Sequence, residues 1–229
     1  PVWPDNMALM TVKGGCLHMF INWNFLFSTI TGLAAIIALV LTFIQIRLSN
    51  KQSLFQKRLD CYLKIDSLIN LYKTNRKLLE INRLDEPLFE VESEFLWLTN
   101  NTYLEEVGEA IITPLEKPVH KKFLIKCEEL EKLSVETELV FAGKEVEDIS
   151  SFISGYRQLL VKMYQYQICL KKMHEYSEQF SATLDKAEEA VKELNFRKEL
   201  LNAYEDIKKA YSQVFRNNGM NKIKKQIKL

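Results

Sequence analysis

Residues 25–46 read FLFSTITGLAAIIALVLTFIQI, twenty-two positions with no charged side chain, a few hydroxyls and one glutamine near the end. A helix of that length, at ~1.5 Å per residue, spans roughly 33 Å, enough for the ~30 Å hydrocarbon core of a bilayer. A core helix of a soluble domain would carry a polar stripe along one side, and none is present. The rival reading is a secretory signal. That would call for a basic segment ahead of the run, a shorter apolar stretch and a small-x-small cleavage motif behind it, and the sequence provides no convincing set of these. The reading is therefore a single N-terminal transmembrane helix over residues 25–46.

The flanks set its orientation. No charge lies between Met19 and Phe25, whereas Arg47, Lys51, Lys57 and Arg58 follow the span. The positive-inside bias places everything after residue 46 in the cytoplasm, with the helix in the inner (plasma) membrane. Trp23 stands where an interfacial aromatic anchor belongs, and Arg47, Lys51, Lys57 and Arg58 stand where basic side chains meet anionic lipid. Gly32, Ala35 and Ala38 put small residues on the helix, the composition that lets two membrane helices approach closely. Ordinary use of Gly and Ala in such helices accounts for the same residues without any contact.

Residues 1–24 then form a short extracytoplasmic N-terminus. Within it, Lys13-Gly14-Gly15 lies just ahead of Met19. Codons AAA-GGA-GGN would contain a bacterial ribosome-binding sequence. Met19 is accordingly expected to be the native start, with residues 1–18 a leader to be left out of fold reasoning.

The rest of the chain has the texture of a helical protein. Seven glycines and five prolines are few for 229 residues. Long stretches rich in Leu, Glu and Lys favour helix. The fold class expected is all-α, the transmembrane helix continuing to about Leu84 and into a cytoplasmic antiparallel bundle over residues 47–215. Phe55, Leu59, Tyr62, Leu63, Ile69 and Tyr72 mark its inward side.

A second, acidic helix is expected from Leu88 to about Ile112, with a break in prospect at Asn100-Asn101. A third runs from Pro118 to Phe141 with Val119, Phe123, Cys127, Leu130 and Leu133 inward. The fourth has the clearest stripe, from Ile149 to Met173. The fifth starts at Ser181 and carries Leu184, Ala187, Val191, Leu194, Leu201, Tyr204, Ile207, Tyr211 and Val214. Asn217-Asn218-Gly219 closes it, and residues 216–229 are read as a basic tail outside the bundle, solvated or weakly interfacial.

Charge is segregated although the net is +1. Residues 47–83 hold nine basic and three acidic side chains, 84–116 nine acidic and no basic ones, and 207–229 seven basic and no acidic ones. The first and second helices are thus plausible neighbours, and a generally basic nucleic-acid binder is not expected.

Chemistry is sought and not found. Four cysteines stand singly, without the pairs that zinc sites or disulfide frameworks need. His120 and His174 have no second histidine or Glu-x-x-His partner for a metal, and no phosphate loop or nucleophile elbow occurs. Small helical ribonucleases of bacterial defence systems carry an Arg-x(4–6)-His signature. Neither His120 nor His174 is preceded by arginine at that spacing, so the resemblance fails.

No cofactor and no catalytic role are expected. The expected function is non-enzymatic: the cytoplasmic bundle binds a protein partner or itself, as scaffold, sensor or regulator, while the anchor meets the lipid membrane. The layout also looks like that of small membrane-acting effectors in bacterial anti-phage systems. That alternative makes the protein an oligomeric, membrane-perturbing effector.

Overall fold

The protein, seen in a computed structural model, is described over residues 23–79, 87–88 and 91–228. The expected leader 1–18 and nearly all of the N-terminal segment 1–24 lie outside the described residues. The described residues are all-α: α1 (Trp23–Asn75), α2 (Val91–Trp97), α3 (Glu105–Ile112), α4 (Lys117–Val140), α5 (Glu145–Phe180), α6 (Leu184–Val191), α7 (Glu193–Arg216) and α8 (Gly219–Lys224). The chain divides into two compact units, residues 1–49 and 50–229.

In the first unit the described residues all belong to α1, and every one of them is exposed. α1 is the one helix among the described residues long and apolar enough to cross a membrane.

The second unit is a helical bundle around α5, whose stripe from Ile149 through Met163 to Met173 is buried as expected. Each such Leu, Ile or Phe contributes about 1.5–3 kcal/mol by leaving water. α4 folds back along α5: Ser134 Oγ lies 2.7 Å from Ser150 Oγ, and the Phe123 ring stacks on Tyr164 at 4.3 Å. The turn between them uses Gly143 at φ +119°, where a Cβ would come within 2.6 Å of the Glu145 carboxylate. Only glycine meets that requirement cheaply. α7 lies along the other side of α5, and the bundle half of α1 closes the core through Ile65, Leu68 and Tyr72. The Tyr72 ring meets both Phe152 and Tyr211. Leu63, expected inward, is exposed.

One break falls where it was expected and two element boundaries change. The acidic helix is parted at the asparagine pair into α2 and α3. Asn101 Oδ1 accepts from the Leu104 N–H at 2.7 Å while its Nδ2 donates to Ser67 Oγ at 3.1 Å, so the side chain fixes the turn ahead of α3 and ties it to α1. Glu106 of α3 pairs with Lys122 of α4 at 3.2 Å. The first helix ends at Asn75, whose Nδ2 donates to Leu71 O and to Trp97 O, both at 3.0 Å. A 3-10 turn to Leu79 follows, and the remainder of the expected extension to Leu84 lies outside the described residues.

The fifth helix is also two, α6 and α7, parted at Lys192 in the left-handed region (φ 57°). That break resets the helical phase. The buried line of α7 runs Glu193, Arg197, Leu200, Tyr204, Ile207, Tyr211 and Val214, while Leu194, expected inward, is exposed.

The tail departs most. Residues 219–224 form α8, Ile223 is fully buried and Ile227 packs against the core. The bundle therefore takes in residues that the sequence reading set outside it.

Candidate functional site

The first candidate surface is the exposed apolar run of α1. Phe25 is 73 % exposed and Leu39 71 %, and Trp23, Phe43 and Ile46 are exposed as well. Large side chains so arranged have no polar face to turn to water. Gly32 has no heavy atom outside its own helix turn within 4 Å of an added Cβ, and Ala35 and Ala38 are exposed. The small-residue surface is thus open along α1. Trp23 opens the helix with its ring 6.2 Å from that of Phe27.

The basic residues after the run divide. Arg47, Lys51 and Lys57 are exposed. Arg58 is not a free surface cation. Its Nε donates to the Val140 carbonyl at 2.7 Å and its Nη1 to the Gln226 carbonyl at 2.9 Å. Val140 ends α4, where unpaired carbonyls and the helix dipole draw a cation. Gln226 completes the link, its Oε1 accepting from the Ala142 N–H at 2.9 Å and its Nε2 donating to Ala142 O at 2.7 Å. One guanidinium therefore holds together α1, the end of α4 and the C-terminal segment.

The interior holds a polar cluster that sequence reasoning missed. Glu193 is 0 % exposed and Arg197 2 %. Arg197 Nη2 lies 3.0 Å from Glu188 Oε1 and 3.2 Å from Glu193 Oε2. The Tyr166 hydroxyl donates to Glu193 Oε1 and accepts from the Leu88 N–H at 2.9 Å. Burial raises the Glu193 carboxyl above its ordinary range, against the pull of Tyr166 and Arg197. Burial likewise raises the Tyr166 hydroxyl, and its bond to Glu193 raises it further. The signal was present: stepping back from Leu200 along the stripe by three and then four residues lands on Arg197 and Glu193.

Beside this cluster a cleft of about 500 Å³ opens between α2, the end of α3 and the turn after it, α5 and α6, with Leu170, Met173 and Leu184 among its apolar walls. At one side the Gln167 amide donates to Glu92 Oε1. His174 reaches the rim and meets Glu178 one turn on, at 3.2 Å. His120 has another task. Its Nδ1 lies 2.8 Å from the Tyr164 hydroxyl, which accepts from the Leu115 N–H at 2.9 Å and pins the turn ahead of α4. Cys61, Cys127 and Cys169 are buried, and burial pushes the Cys127 and Cys169 thiols up to about 11. Among the described residues no group of three or more His, Cys, Asp or Glu side chains is placed to hold a metal ion.

No protein-family model, no curated protein and no solved structure matches the chain.

Proposed function

We propose that the protein is a single-pass membrane protein, anchored through residues 25–46 in the inner membrane, whose cytoplasmic helical bundle acts by binding a protein partner rather than by catalysis. The observation that carries this reading is the exposed apolar stretch of α1, joined to a bundle that closes an apolar core of its own. An apolar surface of this length is stable in hydrocarbon and costly in water. The cations after the span support the orientation. The buried Arg197 guanidinium faces the carboxylates of Glu188 and Glu193, a pairing that fits a docking body better than a reacting centre.

The test is carbonate extraction of membranes from cells making the full chain, beside an Ile36→Arg/Leu39→Arg variant. Each central arginine costs about 2.5–3.5 kcal/mol of insertion, so the variant is expected in the soluble fraction and the parent in the pellet. A parent released by carbonate would overturn the anchor.

The open surface at Gly32, Ala35 and Ala38 favours a second reading, an oligomeric effector that perturbs the membrane. It requires that induced cells lose membrane potential and take up dye, and that Gly32→Leu abolish both effects. Intact cells leave the scaffold, sensor or regulator.

A further inference from the structure

We propose that α6 is a hinged lid. It lifts on Ser181 and Lys192, is held shut by the contact between Glu188 and Arg197, and uncovers the face of α5 beneath it when it opens. Every residue involved lies in the bundle, so the inference stands apart from the membrane reading.

Little holds α6 to the bundle. Of its eight residues Ala187 alone is buried, whereas α3, of the same length, buries Val107, Gly108, Ala110 and Ile111. Hollows border it on two sides. Leu184 and Ala187 form part of the wall of the 500 Å³ cleft, with Gln167, Leu170 and Met173 of α5. A second hollow, of about 480 Å³, is lined by Ala190 and Val191 of α6, Ile168 and Cys169 of α5 and Phe196 of α7. Close packing is what resists local opening, and a helix set between two hollows has given up much of it. Among the described residues one side-chain polar contact ties α6 to another element: Arg197 Nη2 donates to Glu188 Oε1 at 3.0 Å.

The chain is prepared to bend at both ends of α6. Ser181 (φ 47°) and Lys192 (φ 57°) are left-handed, two of four such non-glycine residues among those described. That conformation disfavours any residue with a Cβ, so each hinge relaxes when α6 lifts, and the latch has to outweigh the strain. Breaks on both sides also let α6 move as one piece without unwinding α5 or α7.

Cys169 reports the motion. It is 2 % exposed, and lifting α6 takes two residues away from the walls of its hollow. Cys127, buried in α4, lines neither hollow. Burial pushes both thiols up to about 11, so neither reacts while covered and access separates their rates.

The experiment treats the full chain, in detergent, with N-ethylmaleimide and reads the rate at each cysteine from peptide masses. Cys169 is expected to react about tenfold faster than Cys127 or more, because a lid opens more often than the whole bundle. Equal rates overturn the lid. In Glu188→Ala the rate at Cys169 should rise about tenfold, the weight of one charge-assisted hydrogen bond, with Cys127 unchanged. Arg197 keeps Glu193 in that variant, so the core pair survives. A rise at both cysteines alike would make Glu188 a prop of the whole fold, and no rise would remove it as the latch. Amide hydrogen exchange on the parent needs no variant. Fast exchange should span residues 182–192 and stop within the first turn of α7. Protection of α6 equal to that of α5 and α7 overturns the proposal, and fast exchange continuing through α7 overturns the hinge at Lys192.

Discussion

Replacing Arg197 with methionine keeps the buried stem and removes the charge that faces Glu193. Glu193 has no exposed surface, so its carboxylate would then stand in the core with Tyr166 alone as donor. Removing one partner of a buried pair costs about 3–5 kcal/mol. A second limit comes from protonation. At pH 7, neutralising a carboxyl of ordinary pKa near 4.3 costs about 3.7 kcal/mol at 1.36 kcal/mol per pH unit, so the loss should not much exceed that. The prediction is a loss of about 3–4 kcal/mol at pH 7, or roughly 6–16 °C in Tm for a domain of this size.

The sign with pH follows from the direction of the shift. Burial already raises the Glu193 carboxyl, and loss of Arg197, which now lowers it, raises it further. The folded variant then binds a proton that the unfolded chain lacks between the unfolded value and the new folded one. The deficit is whole above the folded value and shrinks as pH falls towards about 4.3, by up to ~1.4 kcal/mol per pH unit. Urea unfolding of the full chain in detergent, followed by circular dichroism at pH 5, 6 and 7, measures it. Arg197→Met/Glu193→Gln should regain most of the loss at pH 7, since an uncharged amide can still accept from Tyr166. A single variant within about 1 kcal/mol of the parent, or a double variant no better than the single, would refute the account of the cluster as a mutually compensating pair.

Two further outcomes test the packing. Gly108→Ala would set a Cβ 2.7 Å from the buried Thr99 Oγ1, which donates to Phe95 O at 2.9 Å. Overpacking of about 1–3 kcal/mol outweighs the ~1 kcal/mol that alanine gains in a helix, so Tm should fall by a few degrees, and adding Thr99→Ala should cost less than the two single losses together. At pH 8 thiols held near 11 are thiolate in about one molecule per thousand, so Cys127 and Cys169 should react with a maleimide at least a hundredfold slower folded than in denaturant. Fast labelling of either in the folded chain would show that its helix opens.

The sequence by itself determined the apolar stretch 25–46 and the inward stripes of α4 and α5, because composition and the 3.6-residue period are properties of a segment read alone. Helix breaks were harder to see. The asparagine pair before α3 left a residue-type signal, whereas Lys192 takes up a left-handed conformation that its side chain does nothing to announce. That one residue parts the α6 stripe from the α7 stripe, whose own phase leaves Leu194 outward and Glu193 inward.

Only the tertiary structure decided where charge goes. Glu193 and Arg197 are buried because Tyr166 and Glu188 come around them, since a charge can be buried only where other segments bring its partners. Arg58 read as one more juxtamembrane cation, and the last residues as a solvated tail. A carbonyl at the end of α4 and another at Gln226, distant in sequence and adjacent in space, turned the first into a clamp and the second into part of the bundle.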